Sequence, residues 1–257
     1  MGFYIGKIFV AYYGLMIVIG IVLAILAALP LIKKYNININ DFFIVLGILG
    51  LSALLGSKLL YLLIDYHNFI VILDKRDLIL LNNYFQSGFV FYGGFIFIII
   101  SLVIFDKCFK TNYFKMIKKI FPVFILTHSI GRVGCHLVGC CYGKLYNGVF
   151  AVMYHNSLIA PNDVKLFPTQ IVESIVQFLA FIFFYTRSLC NDKDDTSDIL
   201  LYILIYACYR FLIEFERGDV ERGVIMELSI SQYISLAFVI GIILVYIVKD
   251  ININRIK

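Results

Sequence analysis

Val10-Ala11-Tyr12-Tyr13-Gly14-Leu15-Met16-Ile17-Val18-Ile19-Gly20-Ile21-Val22-Leu23-Ala24-Ile25-Leu26-Ala27-Ala28-Leu29-Pro30-Leu31-Ile32 contains no charged side chain. About 20 consecutive apolar residues are enough to cross a bilayer as a helix. The stretch therefore reads as a membrane span over residues 10–32. It is too long to be a removable signal peptide, and it lacks a small-residue cleavage site. Six further apolar runs follow, at about 42–65, 88–106, 120–139, 168–189, 198–216 and 228–249. The 257 residues are 61% hydrophobic, with a mean hydropathy of +0.92. Soluble domains are only about half apolar. Strand-like alternation is absent, so the expected fold is all-α. The expectation is one integral-membrane domain over 1–257, a polytopic bundle of about seven transmembrane helices.

Lysine and arginine are unevenly shared between the two sets of segment ends. Twelve lie on one set, among them Lys33, Lys34, Lys107, Lys110, Lys115, Lys118, Lys119, Arg187 and Lys193. Seven lie on the other: Lys7, Lys75, Arg76, Lys144, Lys165, Arg217 and Arg222. The richer set is expected to be cytoplasmic, with the N-terminus outside and the C-terminus inside. Residues 191–198 then form a polar cytoplasmic linker, and about 140–167 a small extracytoplasmic segment. The net charge of +5 is ordinary for loops facing anionic membrane lipids, and no nucleic-acid partner is needed to explain it. With no tryptophan, tyrosine and phenylalanine must supply the interfacial belt.

Two arginines interrupt the apolar runs. Arg132 stands in Gly131-Arg132-Val133-Gly134-Cys135-His136-Leu137-Val138-Gly139-Cys140-Cys141-Tyr142-Gly143, and Arg210 stands in Tyr209-Arg210-Phe211-Leu212-Ile213-Glu214. A guanidinium keeps its charge at any working pH, so burying it is costly. Two readings stand side by side. Each arginine can pair with a carboxylate, Glu173 or Glu214 for Arg132 and Glu214 for Arg210. Alternatively, both bind the phosphate of a lipid headgroup, whose oxygens a planar guanidinium meets two at a time. Glycines at 93, 94, 131, 134, 139 and 143 fit close helix packing or backbone brought up to a headgroup. His136 follows Arg132 by four residues and shares its helix face. The six cysteines form no secreted-type disulfide framework. Cys135, Cys140 and Cys141 lack the distant partner pair usual in zinc sites, so neither a metal nor a cofactor is expected.

Several pieces taken together resemble the phosphatidylglycerol–prolipoprotein diacylglyceryl transferase family. They are Tyr12-Tyr13-Gly14-Leu15-Met16, Phe91-Tyr92-Gly93-Gly94, Gly131-Arg132-Val133-Gly134 to Gly143, Phe167-Pro168-Thr169-Gln170 to Glu173, Arg210-Phe211-Leu212-Ile213-Glu214-Phe215-Glu216-Arg217-Gly218-Asp219, and Ser231-Gln232. The resemblance implies a seven-helix bundle in the bacterial cytoplasmic (inner) membrane. It implies transfer of the diacylglyceryl group of phosphatidylglycerol to the thiol of a prolipoprotein signal-peptide lipobox cysteine, with release of glycerol phosphate. It assigns catalysis to Arg132, Arg210 and Tyr92. It assigns substrate binding to Arg132, Tyr13, Gly93, Gly94, Gly143, Gln170, Glu214 and Arg217. The chain departs from the family where histidine is usual before the glycine pair: here the residue is Tyr92, with a less suitable pKa for a base at neutral pH. His136 is the alternative base. Cys135 and Cys140 stand where asparagine and glutamate are usual. Other readings are a transferase with a different acceptor, a non-catalytic lipid-binding membrane protein and an anion transporter, the last disfavoured by the absence of an internal repeat.

Overall fold

The computed structural model describes residues 1–6, 8–75, 77–86, 91–109, 111–190, 195–219 and 224–256. Lys7, Arg76, Lys110, Lys193, Arg222 and Lys257 of the charge count lie outside the described residues, as do 191–194 of the linker. Helices dominate. The chain forms two compact units, Met1–Leu31 with Lys118–Lys257, and Ile32–Ile117.

The first unit opens with strands β1 (Gly2–Ile5) and β2 (Ile8–Ala11), paired antiparallel. Gly6 between them adopts a φ of 62°, a conformation open to glycine at no steric cost. This hairpin uses residues that the apolar run had assigned to the first span, so helix α1 begins at Tyr12 and runs to Lys34. Much of α1 is exposed apolar surface, including Val18, Val22 and Leu26, as suits a lipid-facing helix.

Four helices and part of a fifth make the second unit: α2 (Ile39–Ile64), α3 (Tyr66–Asp74), α4 (Leu78–Gln86), α5 (Phe91–Phe109) and the start of α6 (Tyr113–Ile120). Asn38 caps α2, its side chain accepting from the Asn40 N–H at 2.9 Å. Helices α2 and α5 touch at small residues. A Cβ on Gly93 would overlap the Gly56 carbonyl, and one on Gly94 would lie 2.8 Å from the Ala53 oxygen. Ser52 donates to Ser101 at 2.8 Å across the same seam. The glycine pair thus serves close helix packing. Val45, Leu102, Tyr113 and Met116 form the core of this unit.

In the first unit, α7 (Pro122–Val138) lies along α8 (Thr169–Cys190). Ser129 donates to the Ser174 carbonyl at 2.8 Å, and Ser174 donates back to the Ser129 carbonyl at 3.0 Å. Pro122 opens α7, where its missing N–H costs nothing. Gly134 faces Tyr13 and Met16 of α1. Between α7 and α8 lie β3 (Val152–Met153) and β4 (Lys165–Leu166), paired antiparallel over a small core of Tyr154, Ala160 and Leu166. Helix α9 (Asp195–Ile213) continues as a 3-10 turn at Glu214–Glu216. The hairpin of β5 (Val224–Ile225) and β6 (Leu228–Ser229) then leads into α10 (Ile230–Ile256). Phe121, Ile125 and Phe184 anchor the core of the bundle.

Among the described residues, Tyr12–Lys34, Ile39–Ile64, Thr169–Cys190 and Ile230–Ile247 are each long and apolar enough to cross a membrane. Helices α6 and α7, which meet at a bend, make a fifth span if counted as one. Asp195, Asp198 and Arg210 make α9 more polar. The architecture is that of an all-α integral membrane protein.

Candidate functional site

Charged residues from three successive segments converge inside the first unit. Arg132 is on α7, Glu173 near the start of α8, Arg210 in the last turn of α9, and Glu214 and Arg217 on and just after the 3-10 turn. Arg132 Nη2 lies 2.9 Å from Glu173 Oε1. Arg210 Nη1 is 3.6 Å from Glu173 Oε2, and its Nη2 is 3.0 Å from Glu214 Oε2. Arg217 Nη1 reaches Glu214 at 3.7 Å and its Nη2 pairs with Asp219. The result is a continuous row of alternating charge. Glu173 and Glu214 are each only 3% exposed, so they could not stay ionised without these partners.

Both arginines therefore make the ion pairs that the sequence allowed. They also keep donors in reserve. Among the described residues, Arg132 Nε and the Tyr209 hydroxyl have no hydrogen-bond partner, while Arg210 Nη1 and Glu173 Oε1 are held by ion pairing alone. A guanidinium carries five N–H donors, and a carboxylate pair uses only some of them. A buried donor without an acceptor costs free energy and marks a place where an acceptor can bind. The face of α7 at Gly131 is open: a Cβ there would meet nothing within 4 Å.

Helix spacing did not single out three residues of this site. His128 Nε2 is 3.5 Å from Glu173 Oε1, and its ring meets Tyr206 edge-on at 5.5 Å. His128 precedes Arg132 by four residues, a spacing that pointed to it as readily as to His136. Tyr206 and Tyr209 neighbour both arginines and Glu173. Among eighteen tyrosines no local signal distinguishes them.

Beyond α7 the chain doubles back. Gly139 adopts φ 77°, its N–H returning to the His136 carbonyl at 3.2 Å and that of Cys140 to Cys135 at 3.1 Å. This is a left-handed Schellman end. Residues 142–146 then thread between two neighbours. Gly218 N–H donates to the Tyr142 carbonyl at 2.9 Å, Lys144 N–H to Glu216 at 2.8 Å, and Phe167 N–H to Lys144 at 2.9 Å. Gly143 sits in the tightest part of this crossing, where a Cβ would overlap the Phe167 carbonyl.

Gln170, expected to bind substrate, is 2% exposed and holds backbone. Its Nε2 donates to the Cys140 carbonyl at 2.8 Å and to the Tyr154 oxygen at 3.3 Å. Thr169 donates to the Cys141 carbonyl at 2.7 Å. The Tyr154 hydroxyl also hydrogen-bonds His136 Nδ1, 3.0 Å away. Burial pushes the Tyr154 hydroxyl up to about 12, so it remains a donor. His136 is thereby anchored within a structural chain of hydrogen bonds. Tyr13 packs its ring against Gly134. Tyr92 lies on α5 in the other unit, and its side chain is outside the described residues. The sulfurs of Cys135, Cys140 and Cys141 converge to within 4.8 Å of one another, a meeting made by the Gly139 turn.

A family model for prolipoprotein diacylglyceryl transferase matches residues 1–248. The chain belongs to this family. The phosphatidylglycerol–prolipoprotein diacylglyceryl transferase of Clostridium tetani is 37% identical over 235 residues, covering 90% of both chains. The second such protein of Clostridium perfringens is 32% identical over 258 residues, covering 98% of this chain and 95% of its own. That of Rickettsia akari is 27% identical over 246 residues. Family membership gives the alternating charge row a context: all six of its members, Arg132, Glu173, Arg210, Glu214, Arg217 and Asp219, fall in the stretches that carry the resemblance.

Proposed function

We propose that this protein moves the diacylglyceryl group of phosphatidylglycerol onto the lipobox cysteine thiol of prolipoproteins, releasing glycerol phosphate. One observation carries the reading: Arg132 and Arg210 share Glu173, and Arg132 retains a buried Nε–H with no acceptor among the described residues. A phosphate diester carries one negative charge and acceptor oxygens suited to both groups. As the glyceryl C–O bond breaks, charge collects on the departing phosphate, and preorganised donors stabilise it more than the intact lipid. Glu173 holds the two guanidinium groups at fixed spacing. Glu214 and Arg217 extend that support towards Gly143, while Gln170 fixes the loop after α7. Gly131 leaves room for the headgroup. Tyr13 packs against Gly134 of α7, Gly93 and Gly94 serve the α2–α5 seam, and the resemblance assigns a catalytic hydroxyl to Tyr92.

The setting that fits this reaction is a bacterial cytoplasmic membrane crossed by seven helices, with the N-terminus and the 140–167 segment outside. The helix pair α6–α7, α5 and α9 supply the spans beyond the four long apolar ones. The test is direct. Purified protein in lipid nanodiscs is incubated with labelled phosphatidylglycerol and a lipobox peptide. Coupled appearance of glycerol phosphate and lipidated peptide is the expected result. Release of glycerol phosphate without peptide modification points to another acceptor; neither product leaves a lipid-binding protein.

A further inference from the structure

Three cysteines meet at the end of α7, outside the row of charged residues. Their geometry has three separate sources. The Gly139 turn carries Cys140 back over the last helical turn, so that Cys140 Sγ lies 3.7 Å from the Cys135 carbonyl. Cys141 adopts φ 57°, a left-handed conformation costly for a side chain with a Cβ. Gln170 and Thr169 clamp the carbonyls of Cys140 and Cys141 from α8. The backbone is held and the thiols are left pointing at one another. All three are unbridged, and their sulfurs lie within 4.8 Å. Cys135 is buried, whereas Cys140 and Cys141 are partly exposed, so the cluster has a closed side and an open side.

Three thiols around one point suit a soft or borderline-soft cation. Zinc–sulfur bonds of about 2.3 Å at tetrahedral angles place sulfurs roughly 3.8 Å apart, so each pair must close by about 1 Å or less. Structural zinc sites use four protein ligands, while reactive ones use three and keep a fourth position open. A thiol that binds zinc gives up its proton outright. Cys135 follows Arg132 by about one turn on α7, and Gly143, two residues beyond Cys141, pairs with Arg217. The cluster thus adjoins the donors assigned to the phosphate, and those cations offset the single excess negative charge of three thiolates on Zn²⁺.

We propose that Cys135, Cys140 and Cys141 bind one zinc ion whose fourth position receives the acceptor thiol. The proposal rests on the transferase reading above. Coordination releases the thiol proton to water. The bound sulfur then forms its bond to the glyceryl carbon as the bond from that carbon to the phosphate oxygen breaks. The electron pair leaves with glycerol phosphate, and zinc remains divalent throughout. The thioether product is a poorer ligand than the thiolate and departs.

The experiment uses full-length protein purified anaerobically in reductant and loaded with zinc or cobalt(II) alone. Elemental analysis should find about one zinc per chain. Cobalt(II) should show tetrahedral visible bands and thiolate charge transfer, and a lipobox peptide with cysteine should shift them while its serine analogue does not. Cys140→Ser and Cys141→Ser should each weaken metal binding by more than about tenfold at an unchanged melting temperature of the metal-free protein. Cys190→Ser, at an exposed position elsewhere, should leave binding intact. Protein that binds no metal, or Cys140→Ser and Cys141→Ser variants that keep it, overturn the site. A cobalt spectrum indifferent to the cysteine peptide overturns the open fourth position. Full transfer by metal-free protein overturns this inference and leaves the transferase reading standing. A peptide-sensitive metal site in protein that releases no glycerol phosphate does the reverse.

Discussion

Arg132 Nη2 and Glu173 Oε1 stand 2.9 Å apart on neighbouring helices, in a pocket where the carboxylate is 3% exposed. Glu173 also faces Arg210 at 3.6 Å and His128 at 3.5 Å. One carboxylate therefore sets the spacing of both arginines, and removing either partner has two separable consequences.

Arg132→Ala is expected to lower transfer by about a hundredfold, through loss of roughly 3 kcal/mol of transition-state stabilisation. It should also lower thermal stability, because a buried carboxylate loses its closest partner, at a cost of about 3 kcal/mol. Arg132→Ala combined with Glu173→Gln should recover much of the melting temperature and none of the activity. Arg132→Lys should restore little transfer, since an ammonium cannot match the guanidinium fork. Parallel melting curves and transfer rates in nanodiscs check this; near-normal transfer by the alanine variant would end the headgroup argument.

The glycines at 131 and 143 should respond in opposite ways. Gly143→Ala forces a methyl onto the Phe167 carbonyl and should destabilise the protein by about 2 kcal/mol or more, as overpacking does. Gly131→Ala meets nothing within 4 Å and favours helix by up to about 1 kcal/mol. It should melt no lower than the parent yet show a raised KM for phosphatidylglycerol, because the methyl enters the open space on that face of α7. An unchanged KM would show that this space holds no headgroup.

Tyr92→Phe tests the residue that replaces the family's usual histidine. Removal of a hydroxyl that contacts the thiol or the departing phosphate should cut transfer by roughly tenfold to a thousandfold at unchanged expression. A silent substitution would show that Tyr92 only packs beside Gly93-Gly94, since phenylalanine keeps the ring.

Loss of the chain from His136 through Tyr154 and Gln170 to the Cys140 carbonyl should act on stability. Tyr154→Phe deletes the hydroxyl that bonds His136 at 3.0 Å and Gln170 at 3.3 Å. A cost of about 1–2 kcal/mol is expected, with the pH profile of kcat unmoved. A shifted profile would return His136 to the role of base.

Much of this protein is legible in one dimension. The apolar stretch ending at Ile32, and others like it, dictate membrane helices because the bilayer leaves backbone N–H and C=O groups no other partner. The ordered pieces around Arg132, Gln170 and Arg210 carry the family. Spacing also made Glu214 a partner for Arg210, since residues one turn apart on a helix are neighbours. Three things required the folded chain. The Arg132–Glu173 pair joins α7 to α8, and no local rule ranks Glu173 above Glu214 for that contact. The hairpin before Tyr12 takes residues from a stretch whose hydropathy alone reads as helix. The cysteines at 135, 140 and 141 look dispersed along a helix and its exit, until the left-handed Gly139 turn reverses the chain and brings their sulfurs together. Hydropathy and helical period are properties of neighbouring residues. Ion pairing across helices and the direction of a helix exit depend on which segments lie side by side, and only packing in three dimensions decides that.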